Sequence, residues 1–256
     1  GRVCGRIADS KFFLNNKKYE LYANEGNNHL HGGQLGFNKK IWNIEKIEKN
    51  SDEITCSLYY KSINLEENYP GNVECSVEYI FNNNNELLIK FKAISDEDTI
   101  VNLTNHNYWN FHGHSNFYQN VIDHKIKILS DSYCEIDQEL IPTGRLLKTL
   151  ETKYNIKNYT NIDKDLLNNK GVDICYFINS YDASHRLVAS VYSEKTKMGM
   201  EISSNQPGLQ FYTGNMMEKS YQGKYNKNYG LHYGLCLEPQ LFPDAINQKN
   251  FKSPIL

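Results

Sequence analysis

The chain has 256 residues, a formal net charge of -2 from 28 Lys and Arg against 30 Asp and Glu, and no run approaching the ~20 apolar residues of a membrane-spanning helix. Balanced charge excludes the broad basic footprint of a nucleic-acid or anionic-membrane binder, and the length suffices for a core without disulfide staples. Cys4, Cys56, Cys75, Cys134, Cys175 and Cys236 are scattered with no Cys-x-x-Cys pair, which argues against a thiolate zinc site and for a reducing, cytoplasmic setting.

The dominant hydrophobic period is two. Residues 11–14 and 18–22 around Asn15-Asn16 predict a hairpin. Residues 53–60 alternate as a strand, and 74–81 with 86–91 predict a second hairpin around the asparagine run 82–85, read as a loop tip. Further strands are predicted over 125–129, 186–192 and 199–203, with one short helix over 162–169. Strands at this density, with 19 Tyr and 11 Phe, predict one all-β domain over residues 1–256, a β-sandwich or barrel-like architecture. The loops expected to carry chemistry are 28–33, 104–110, 171–173, 206–215 and 237–240.

Two His-x-His pairs, His29/His31 and His112/His114, place two rings on one strand face, but no acidic partner stands at a recognisable spacing, so the expectation is no metal. No Gly-x-Ser-x-Gly elbow and no phosphate-cradling glycine loop is present. Acid–base chemistry remains. His106 lies among Thr, Asn, Tyr and Trp, and Glu238 sits between apolar Cys236-Leu237 and Pro239, where partial desolvation would raise its pKa toward that of a general base. Taken alone, the residues weigh more toward a structural ion pair for Glu238 and a hydrogen-bonded core role for His106. Asp173, in Gly-Val-Asp-Ile-Cys, reads likewise as a satisfied carboxylate. Aromatic loops beside Asn, Asp and Gln suit a sugar.

The blocks Gly1-Arg2-Val3-Cys4-Gly5-Arg6-Ile7, Asn28-His29-Leu30-His31-Gly32-Gly33, Thr104-Asn105-His106-Asn107-Tyr108-Trp109-Asn110, Gly171-Val172-Asp173, Gln206-Pro207-Gly208-Leu209-Gln210-Phe211-Tyr212-Thr213-Gly214-Asn215 and Cys236-Leu237-Glu238-Pro239-Gln240 resemble the galactose mutarotase (aldose 1-epimerase) family from end to end. The resemblance implies the family's large twisted antiparallel β-sandwich and interconversion of the α and β anomers of a free aldohexose without a cofactor, because a proton moves and nothing is oxidised. It implies Glu238 as general base at the C1 hydroxyl and His106 as general acid at the ring oxygen. Arg6, His31, Asp173 and Gln210 would hold the sugar. A non-catalytic sugar-binding module and a hexose-6-phosphate epimerase-like relative are the alternatives; the first would abandon the acid–base pair and the second would want an arginine cluster. Three departures from the family pattern stand out. Gly5 replaces the usual Asn, which would leave Arg6 less firmly held, and Pro239 replaces the usual Thr. The family's N-terminal strands and short C-terminal end are the third, expected to be lacking here.

Overall fold

Asn15 and Asn16, at φ 50° and 61°, adopt the left-handed conformations that a two-residue hairpin turn requires, and the predicted hairpin forms around them. The computed structural model describes residues 1–114, 120–168, 170–179, 181–217 and 221–256. The chain divides into two compact units, one of residues 1–103 with 243–256 and the other of residues 104–242.

The first unit holds β1 (Arg6–Ile7), β2 (Lys11–Leu14), β3 (Lys17–Glu20), β4 (His29–Leu30), β5 (Asn43–Lys49), β6 (Glu53–Ser62), β7 (Val73–Asn82) and β8 (Leu87–Ser95). The turn consumes only two residues, so β3 starts at 17 and ends two residues before the predicted 22. The last four strands form an antiparallel meander in the order β5-β6-β7-β8. The asparagine run is the tip of its last hairpin: the Asn82 side-chain oxygen accepts from the backbone N–H groups of Asn84 and Glu86.

Cross-strand register puts Ile47, Cys56, Tyr79 and Ile89 in one row of this sheet, and Ile54, Phe81 and Leu87 in the next. The same face is buried at its other end, where Val73 and Cys75 pack with Phe37. Its outer end, with Ile44, Ile47, Ile54, Phe81, Leu87 and Phe91, is exposed. A second core gathers Val3, Ile7, Phe12, Leu14, Leu21, Tyr69 and Ile100.

The second unit is a sandwich of two antiparallel sheets. It contains β9 (His124–Ile128), β10 (Ser132–Ile136), β11 (Pro142–Lys148), β12 (Thr160–Asn161), α1 (Lys164–Leu167), β13 (Asp173–Phe177), β14 (Arg186–Ser193), β15 (Met198–Ser204), β16 (Gly208–Tyr212), β17 (Tyr221–Gln222), β18 (Asn228–Tyr229) and β19 (Cys236–Gln240). One sheet runs β11-β10-β13-β16-β19 and the other β12-β9-β14-β15. Ile174, Tyr176, Leu209, Phe211 and Leu237 from the first meet Ile126, Ile128, Val188, Ala189 and Val191 from the second in one core.

Two readings of the sequence need correction here. Segments 206–215 and 237–240, expected as loops, contain β16 and β19. Leu209-Gln210-Phe211-Tyr212 and Leu237-Glu238-Pro239-Gln240 do alternate, but the runs are short and Pro207-Gly208 before the first reads as a turn. Pro239 adds a false breaker signal; β19 is the terminal strand of its sheet, where a residue without an N–H is tolerated. The predicted helix over 162–169 shrinks to the single turn of α1, capped by the Asp163 carboxylate, which accepts from Asp165 N and Leu166 N at 3.0 and 2.9 Å. Asn168, at φ 44°, ends it; Asn169 lies outside the described residues.

Candidate active site

The period of two sorts the five-stranded sheet of the second unit into a core face and a chemical face. Leu209, Phe211 and Leu237 point into the core, so their neighbours Gln210 and Glu238 point the other way. Register then aligns Cys175, Gln210 and Glu238 in one row across β13, β16 and β19, and Asp173, Tyr212 and Cys236 in the adjacent row. The Gln210 amide donates to the Asp173 carboxylate at 2.6 Å. Asp173 itself stands at the start of β13, where Thr213 and Asn215 clamp the preceding residue: Val172 N donates to Thr213 Oγ1 at 2.8 Å and Asn215 Nδ2 donates to Val172 O at 3.0 Å. Gly171, at φ +74°, has no room for a side chain, since a Cβ would lie 1.8 Å from Asn215 Oδ1.

His106 reaches the same face from segment 104–110, which runs antiparallel beside β19. Thr104 Oγ1 donates to Pro239 O at 2.8 Å, and Trp109 and Leu235 exchange backbone hydrogen bonds at 2.7 and 2.9 Å. Position 106 therefore falls opposite 237–238, and His106 Nε2 lies 3.3 Å from Glu238 Oε1. The His106 side chain is 33% exposed and that of Glu238 only 3%. One group faces the approach and the other is sunk behind it.

Electrostatics follow from that burial. Desolvation, with the nearby Asp173 charge adding to it, pushes the Glu238 carboxyl up to about 8. Desolvation also lowers the His106 imidazole below its ordinary value. The pair therefore carries one proton between them around neutrality. Cys236 Sγ completes a group with His106 and Glu238 whose donor atoms lie within 4.8 Å of one another. These three could hold a metal ion by donor type. Burial, reinforced by Glu238 and Asp173, pushes the Cys236 thiol far up the scale.

Neither His-x-His pair enters such a group among the described residues. His29 is buried, with Nδ1 against Tyr22 O at 2.8 Å and Nε2 against the Tyr69 hydroxyl at 2.7 Å. His112 Nδ1 meets Asn120 O at 3.1 Å, and His114 Nε2 meets the Tyr229 hydroxyl at 2.6 Å.

A family model described as aldose 1-epimerase matches residues 1–256. A galactose mutarotase from Bos taurus is 34% identical over 264 residues, covering 100% of this chain and 73% of its own. The chain belongs to the aldose 1-epimerase family. An aldose 1-epimerase from Streptococcus thermophilus is likewise 34% identical over 263 residues, with 100% of this chain and 73% of its own covered. The solved structure of an aldose epimerase homologue from C. elegans matches with a TM-score of 0.87 over 100% of this chain and 76% of its own, at 24% identity, which shows the shared all-β fold.

The remaining epimerase-family motif residues stand in the first unit. Arg6 and His31 flank the β1–β4 pairing, in which Arg6 is opposite Leu30. His31 N donates to Gly5 O at 3.0 Å, and Gly5 N donates to His31 Nδ1 at 3.2 Å. The looser Arg6 expected from Gly5 is not what the structure has: its guanidinium makes a two-pronged ion pair with Glu25, and its backbone is a strand. Gly33 belongs to the shape of this loop, for a Cβ there would lie 2.1 Å from the Glu67 carboxylate that accepts from Gln34 N and Leu35 N.

Sequence reasoning missed Tyr108 and Cys236 as neighbours of the pair. Tyr108 stacks on the His106 ring at 5.1 Å between centroids. The signal available was spacing: Cys236 is two residues from Glu238 on a strand, hence on its face. That spacing was usable only once 236–240 was recognised as a strand.

Proposed function

We propose that Glu238 and His106 are the acid–base pair with which this chain interconverts the α and β anomers of free aldohexoses, galactose and glucose among them. The observation that carries the reading is the 3.3 Å separation of His106 Nε2 and Glu238 Oε1, with one proton between them. The shifts favour the shared proton on Glu238; in the minor tautomer that carries it on His106, the Glu238 carboxylate takes the proton of the C1 hydroxyl while His106 protonates the ring oxygen. The bond from C1 to the ring oxygen breaks and an aldehyde forms. Rotation about C1–C2 presents the other carbonyl face; the former ring oxygen attacks C1 as His106 takes its proton back, the ring bond re-forms, and Glu238 returns its own proton to the new C1 oxygen. The cycle changes no oxidation state and ends with the pair as it began. Asp173, held by Gln210, accepts from sugar hydroxyls, and Arg6 and His31 supply further contacts. Residues 1–256 work as one aldose 1-epimerase domain.

Six free thiols support a reducing, cytoplasmic setting. Among the described residues no helix is long and apolar enough to cross a membrane. The presence of both members of the pair favours an enzyme over a binding module.

Polarimetry of freshly dissolved α-D-galactose and α-D-glucose tests the proposal. The protein should accelerate the decay to equilibrium rotation. Glu238→Gln and His106→Asn should each lose about 10²–10⁴-fold in kcat, with sugar binding largely retained. Undiminished turnover in either variant removes that residue from the pair.

A further inference from the structure

The acid of the pair sits on irregular backbone, yet its ring must keep one orientation through every turnover. His106 lies in segment 104–110, outside the named strands, and its side chain is one-third exposed. Nε2 stands at 3.3 Å from Glu238, the long end of hydrogen-bond range, where a small ring rotation breaks the contact.

We propose that Tyr108 is a positioning residue for His106: its ring face fixes the imidazole plane that aims Nε2 at Glu238. The proposal rests on His106 being the acid of the mutarotase pair.

The two rings stack with centroids 5.1 Å apart and planes 22° from parallel. The Tyr108 ring is in turn met edge-on by Tyr212, at 6.3 Å and 80°. Tyr212 is no loose partner. It stands on β16 in the row of Asp173 and Cys236, and its hydroxyl accepts from Met216 N at 2.8 Å. A chain of contacts thus leads from the sheet through two aromatic rings to the imidazole. Gly234 adds to it, because a Cβ there would come within 3.0 Å of Tyr108 Cβ; the bare backbone lets Tyr108 sit close to the entry of β19.

Tyr108 stays 50% exposed in this arrangement. Its contribution is therefore not core burial. An aromatic face also tolerates the positive charge that His106 gains and loses in each cycle, as an aliphatic cover would not.

The test compares Tyr108→Phe with Tyr108→Leu in the full chain, with unchanged circular dichroism and melting as the folding control. Tyr108→Leu should lower kcat by about 10- to 100-fold, the usual penalty for a misaimed group, while KM stays nearly constant. Tyr108→Phe, which keeps the ring face, should restore most of the rate. A rise in KM at constant kcat would make Tyr108 a sugar platform and overturn the proposal, as would a Phe variant as damaged as the Leu one. Nuclear magnetic resonance of the unaltered protein gives a reading that needs neither variant nor turnover. The His106 ring protons should be shifted upfield by the stacked tyrosine, and ordinary shifts would overturn the clamp. A protein that shows the upfield shift but does not accelerate mutarotation would instead sink the functional reading.

Discussion

Glu238 shows how one side chain takes its chemistry from where its strand ends up. A carboxylate in water is a weak base at neutral pH. Sunk behind His106, with the Asp173 charge nearby, it holds its proton up to about 8. His106 is moved the opposite way by the same loss of water. The two shifts set a window. Below the lowered His106 value both groups are protonated and no base remains; above about 8 both are deprotonated and no acid remains. The kcat/KM profile for mutarotation should therefore be bell-shaped, with its acid limb below the ordinary histidine value and its basic limb near 8. A rate that climbs through 8 without falling would contradict this pairing.

At the scale of the element, the site depends on how closely β16 and β19 approach. Gly208 opens β16 opposite Gln240, and a Cβ there would lie 2.9 Å from Gln240 O and 3.1 Å from Cys175 Sγ. Gly208→Ala should push β19 outward. The expected cost is about 1–3 kcal/mol of stability, read from the urea midpoint, together with a loss of kcat because Glu238 rides on the displaced strand. A variant with wild-type midpoint and rate would show that β19 has slack. These strands also mark the limit of what the sequence made legible. Hairpins such as β2–β3 and β7–β8 were readable because their strands alternate and Asn-rich turns announce themselves. Strands β16 and β19 were not, because Pro207-Gly208 and Pro239 read as breaks and masked their short alternation. Glu238 and His106 were found through family motifs; their one-proton coupling arises from register between segments more than a hundred residues apart in the chain.

The whole molecule carries one feature that its balanced charge conceals. The outer end of the meander in the first unit presents Ile44, Ile47, Ile54, Phe81, Leu87 and Phe91 to solvent, with β5 and β8 as its sheet's edges. An apolar face bounded by open edges is a template for non-native pairing. Ile47→Lys places a charge on the edge strand β5 and should raise the concentration at which the 256-residue chain begins to scatter light, with turnover unchanged and stability altered by no more than about 0.5 kcal/mol. Scattering at the same concentration would show that this face is not the sticky one.

The two units differ also in how the chain visits them. The second is one uninterrupted stretch, whereas the first is completed only by residues 243–256. Asp244 N closes on Arg6 O at 2.9 Å, Val101 N on Pro254 O at 2.9 Å, and Leu256 N on Thr99 O at 2.9 Å. During synthesis, then, the first unit cannot be completed until residues 243–256 have been made. The second unit, which holds His106 and Glu238, is contiguous in the chain and can close before residues 243–256 complete the first.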